Sequence, residues 1–213
     1  MGESEQGSYR ADFEARFSDF RWEKAVQRFA RAGLLTVPCV GDMPDRDDSL
    51  FQSIIGYLEQ NEVSQLCCMA LEKNRKGRPW FADGSFLTDS PTRAGYGDML
   101  HGALEHREPS IVAAVFPASL DFVIMCTPDE YHLLAGERAV LEQLGGASVE
   151  DQVEAFRVSM DTWYESCDDP AWMREAFPTL PVVYKEAKDA LLKSRGLLHQ
   201  EVRSRRSPPR MET

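Results

Sequence analysis

The segment from Ser110 to Thr127 constrains the fold more than any other part of the chain. Ser110 to Phe116 and Leu120 to Thr127 are both apolar, and only Pro117-Ala118-Ser119 stands between them. Two such runs joined this tightly predict an antiparallel hairpin. The hairpin is expected to lie centrally in the sheet.

Helical patterns surround this centre. From Ala11 to Ala32, Phe13, Phe17, Phe20, Trp22, Val26 and Phe29 recur at helical steps, and Gly33 stands just beyond them. That spacing predicts an amphipathic helix with a glycine stop. Leu34 to Val40 surrounds Pro38 and reads as an edge strand or an extended connection. Asp47, Asp48 or Ser49 is placed to cap a helix carrying Leu50, Phe51, Ile54, Ile55 and Leu58. Gln65 to Leu71, a turn over Lys73 to Pro79, and Trp80-Phe81 read as strand, turn and strand. Asp83 to Gly97 reads as a loop, with a short helix near Asp98 to Glu105.

Thr127-Pro128-Asp129-Glu130 has the form of a helix start, with a capping threonine, proline at the first position and acids in the first turn. This helix is expected to run to Gly145-Gly146. Ser148-Val149-Glu150-Asp151 then opens a second helix as a capping box, with Val153, Phe156, Met160, Trp163 and Tyr164 along one side. Asp168 to Trp172 and Val182 to Leu198 suggest two more helical pieces.

The expected class is therefore α+β: a central antiparallel sheet including a hairpin near 110–127, a helical N-terminal segment and a helical C-terminal third. Residues 1–10 read as a flexible N-terminus, 11–198 as a single domain and 199–213 as a disordered basic tail. The chain has 213 residues and is 43% hydrophobic, enough for a core without disulfides or metals. Its five cysteines are odd in number, and Cys67 and Cys68 are adjacent, a pattern unlike a secreted disulfide framework. The polar, acidic N-terminus lacks the form of a signal peptide, and no apolar run spans a bilayer. A cytoplasmic location is the expectation.

The motifs that name a reaction are missing. There is no phosphate-binding loop ending in Gly-Lys-Ser/Thr, no G-x-S-x-G elbow, no H-E-x-x-H and no C-x-x-C pair. Gly95-Tyr96-Gly97 lacks both the third glycine and the preceding strand of a nucleotide loop. Asp45, Asp47 and Asp48 lack calcium-loop spacing and suit helix capping better. No metal site and no cofactor are expected.

For enzyme chemistry the candidates are Asp83, His101, Cys126 and His132, where the 83–101 loop would meet a strand-helix junction at 126–132. Cys126 is the thiol of most interest, because a helix opening at Thr127-Pro128 would favour its thiolate and His132 is near in sequence. Imidazole side chains are common general bases, which makes His101 and His132 candidates, and Asp83 can serve as an acid or base.

Charge distribution leads elsewhere. The formal net charge is -11, which disfavours nucleic acid and anionic membranes as partners. Between Asp129 and Glu175, twelve acids stand against three bases, a net of -9. That concentration suggests a non-enzymatic protein-binding module, of the immunity or antitoxin type, that occludes a basic toxin or enzyme. Its contact residues would be Asp129, Glu130, Tyr131, Glu150, Asp151, Glu154, Asp161, Trp163 and Tyr164, with the aromatics at the centre. A third possibility, a structural subunit of a larger assembly, would require a large exposed apolar patch. No oligomeric state is read from the sequence.

Overall fold

The computed structural model describes residues 3–17, 25–40, 45–127 and 131–166. Its elements are α1 (Glu3–Arg16), α2 (Ala25–Arg31), β1 (Leu35–Val40), α3 (Ser49–Gln60), β2 (Gln65–Ala70) and β3 (Gly84–Leu87). They continue with α4 (Arg93–Glu105), β4 (Ala113–Pro117), β5 (Phe122–Cys126), β6 (Tyr131–Gly136), α5 (Arg138–Gly145) and α6 (Val149–Ser166). The six strands form one antiparallel sheet in the order β1-β6-β5-β4-β2-β3. The α+β expectation holds.

The predicted hairpin is β4 and β5, paired Ala113↔Cys126 and Val115↔Ile124 in the middle of the sheet. Every residue of both strands is buried because helices cover both faces. On one face, α3, α4 and α5 contribute Phe51, Ile54, Leu58, Leu100 and Leu141, which meet Val115, Ile124 and Leu134. On the other, Phe13 and Phe17 of the α1 segment and Phe29 of α2 meet Phe116, Val123 and Leu133. The alternation of β-strand side chains divides consecutive residues such as Cys67 and Cys68 between these two cores.

Helix α6 crosses the β1 edge. Its Val149 and Val153 join the first core, while Phe156 joins the second, so the helix wraps β1 and closes that side of the sheet. At the other edge, β3 has no further strand beside it among the described residues.

Local sequence signals explain several boundaries. Asp48 caps α3, accepting hydrogen bonds from the Leu50 and Phe51 amides at 2.7 and 3.2 Å. Helix α5 ends at Gly146, whose φ of 66° is a left-handed conformation that suits glycine. Ser148 accepts from the Asp151 amide at 3.1 Å and opens α6 as expected.

Three expectations are corrected. The single helix over Ala11 to Ala32 is two helices, α1 and α2, which deliver their phenylalanines to the same core; shared burial made their periodicity look continuous. The strand at Trp80-Phe81 falls later, at β3, inside what reads as a loop. The helix expected from Thr127 to Gly145 is replaced by β6 followed by α5. Tyr131 to Gly136 lies between β5 and β1 and pairs with both, so its backbone bonds are satisfied by neighbouring strands. That tertiary pairing overrides the cap-like Thr-Pro signal. The helical pieces expected at 168–172 and 182–198, and the tail at 199–213, lie outside the described residues.

Candidate functional site

The enzyme candidates separate into one pair and two isolated groups. Cys126 of β5 and His132 of β6 are directly opposed in the sheet, and Cys39 of β1 opposes His132 from the other side. The three form a row across the strands on the face that α3 and α4 cover. Cys39 Sγ donates to the His132 carbonyl at 3.6 Å.

This row is dry. Cys126 is 0% exposed and His132 3%. Burial pushes the Cys126 thiol up to about 11, with Arg107 pulling weakly the other way. Burial raises the Cys39 thiol as well, and the neighbouring Cys126 and Asp48 add to the effect. Cys67, on the opposite face, is pushed up to about 12 by burial and then by Asp83. No helix begins beside Cys126 among the described residues; β6 takes that place. The expected strand-helix junction is therefore strand against strand, and the cause proposed for a reactive thiolate is gone.

Asp83 is engaged with α1. The Arg10 guanidinium donates to both of its carboxylate oxygens, at 2.7 and 2.5 Å, and to the Ala70 carbonyl at 3.1 Å. Seventy-three residues separate the pair, and it ties α1 to the end of β2. His101 sits on α4, with Nε2 3.3 Å from Glu105 and a buried Nδ1 that has no hydrogen-bond partner among the described residues. Neither joins the Cys126–His132 row. Gly95-Tyr96-Gly97 lies in the first turns of α4, capped by Thr92, and Gly95 is there because the chain doubles back: a Cβ would strike the Ser90 carbonyl.

The acidic candidates centre on α6. Glu150 receives Arg138 Nη1 at 2.9 and 3.0 Å, and this contact, with Glu142, holds the guanidinium further above its ordinary value. Asp151 accepts from the Ser148 hydroxyl at 2.6 Å. Asp151 and Glu154 are exposed, on the side of α6 away from the buried Val149, Val153 and Phe156. Asp161, Trp163 and Tyr164 stand in the last turns of α6 and Tyr131 opens β6; their side chains fall outside the described set, as do Asp129 and Glu130 altogether.

Concavities on the described surface include two of note. One, of about 260 Å³, lies beneath α1 against Phe13, Met69 and Leu71, rimmed by Arg10, Glu14 and Lys73. The larger, of about 520 Å³, runs between β3 and the start of α4, lined by Phe86, Leu87, Asp89, Asp98 and Met99 among others. Sequence reasoning marks the 83–101 segment as a functional loop but misses the edge strand within it. The signal was the short β-compatible run Ser85-Phe86-Leu87-Thr88, hidden among turn residues.

Among the described residues, no group of three His, Cys, Asp or Glu side chains is placed to hold a metal ion, and no helix is long and apolar enough to cross a membrane. No protein-family model matches the chain, and neither a curated protein nor a solved structure does.

Proposed function

We propose that this chain is a non-enzymatic protein-binding module of the immunity or antitoxin type, which occludes a basic toxin or enzyme with the acidic outer face of α6. The observation that carries this reading is the division of α6 into two sides. Val149, Val153 and Phe156 anchor it to both cores, while Asp151 and Glu154 face solvent. The helix holds five acids and one base. A charged helix fixed on a rigid sheet presents its field in a set direction, which accelerates encounter with a cationic surface.

Against a thiol-based enzyme stand the burial of Cys126 and the upward displacement of its ionisation.

The test begins with capture of the partner from source cells. The association rate is then measured by surface plasmon resonance at low and moderate salt. The rate should fall at least about tenfold as screening shortens the reach of the field. The combined variant Asp151→Lys, Glu154→Lys, Glu150→Lys should lose binding. A salt-independent rate, or full binding by the triple variant, would refute the proposal.

A further inference from the structure

The two edges of the sheet are treated differently. α6 covers β1, whereas β3 ends the strand order with no strand beyond it among the described residues. The register shows which of its backbone groups are available. The Thr88 amide donates to the Ser64 carbonyl at 3.0 Å, and Ser64 and Thr88 continue the register that pairs Gln65 with Leu87 and Leu66 with Phe86. Hydrogen-bonded and non-hydrogen-bonded pairs alternate along an antiparallel ladder. Phe86 and Gly84 therefore bond inward to β2, and the N–H and C=O groups of Ser85 and Leu87 point away from the sheet.

Natural edges are blunted by lysine, proline, a bulge or a cover. β3, Gly84-Ser85-Phe86-Leu87, carries neither lysine nor proline. Leu87 is instead 49% exposed, and the 520 Å³ groove opens alongside. The ionisable residues lining that groove are both acids, Asp89 and Asp98. Asp98 meets Arg46 at 2.8 Å in an exposed pair that a competing cation can displace.

We propose that β3 is a docking edge for an extended, lysine- or arginine-bearing segment of a partner protein, which joins the sheet as a seventh strand. Main-chain bonds to Ser85 and Leu87 would supply the pairing, and Asp89 and Asp98 would select cationic side chains. Charge decides between this occupant and a second copy of the chain. A two-fold β3–β3 pairing would bring these acids toward their own copies on a protein of net charge -11. The proposal is independent of the α6 face.

The probe is a fluorescein-labelled nonapeptide of alternating lysine and valine, titrated with the full chain by fluorescence anisotropy. Binding should weaken at least about tenfold when alternate peptide amides are N-methylated, a change that leaves the protein intact. Leu87→Pro should do the same, because it removes an outward N–H without touching the β2 ladder, and far-UV circular dichroism checks that this variant is folded. Asp89→Lys should also weaken it, while the α6 triple variant should bind the peptide as the wild type does. Failure of the lysine peptide to bind, or equal affinity for the N-methylated peptide, overturns the proposal. Loss confined to the α6 triple variant overturns it while sparing the α6 reading. A dimer seen by sedimentation and dissolved by Leu87→Pro would assign the edge to a second copy, and the proposal would fall.

Discussion

Cys126 gives the most direct test of the buried Cys126–His132 pair, through the dependence of stability on alkaline pH. Its thiol titrates at about 11 in the folded protein against an ordinary value of 9.0. Raising the folded-state value means that the unfolded chain releases its proton first. The stabilising contribution is full below pH 9 and is lost as the pH rises toward 11. At pH 10 the unfolded thiol is mostly ionised and the folded one mostly protonated, which corresponds to on the order of 1 kcal/mol lost relative to pH 7 from this residue alone. Other thiols, tyrosines and lysines titrate in the same window, so the wild type should be compared with Cys126→Ala. Urea unfolding of both proteins at pH 7 and pH 10 isolates the difference. Cys126→Ala should start less stable at pH 7, by about 1 kcal/mol for the lost packing, and should lose on the order of 1 kcal/mol less than the wild type between the two pH values. A thiol reagent at pH 8 should leave the native Cys126 untouched. Equal pH losses in the two proteins, or rapid labelling of native Cys126, would show that the site is wet and reopen it to nucleophilic chemistry.

Two further expectations concern the frame of the molecule. Asp83→Ala removes the bidentate partner of a part-buried Arg10 and should cost about 1.5–3 kcal/mol, seen as a fall in Tm of about 3–10 °C; an unchanged Tm would mean that this ion pair does not hold α1 in place. Gly95→Ala drives a methyl into the Ser90 carbonyl and should cost at least about 1–3 kcal/mol by thermal melting, whereas Gly97→Ala, whose Cβ meets only Ile55 Cδ1 at 3.4 Å, should cost less than about 1 kcal/mol; similar losses would refute the close approach at Gly95.

These perturbations probe features that differ in how they are encoded. The β4–β5 hairpin, the Asp48 cap, the Gly146 stop and the start of α6 were legible because each depends on residues within a few positions of one another. β6 was not legible as a strand, since its pairing partners lie in β1 and β5 and a cap-like Thr-Pro precedes it. The same misreading gave Cys126 a helix dipole that it does not have.

By itself, then, the sequence determined the class of fold, its central hairpin and the concentration of acids between Asp129 and Glu175, because composition and short-range periodicity survive any arrangement of the elements. Only the tertiary structure decided that Cys126 faces His132 in a dry core, that Asp83 serves Arg10, that α6 closes one edge of the sheet and that β3 forms the other edge among the described residues. Each of those outcomes depends on strands and helices far apart in the chain meeting at one place. Burial and pairing follow from that meeting and not from the residues taken one by one.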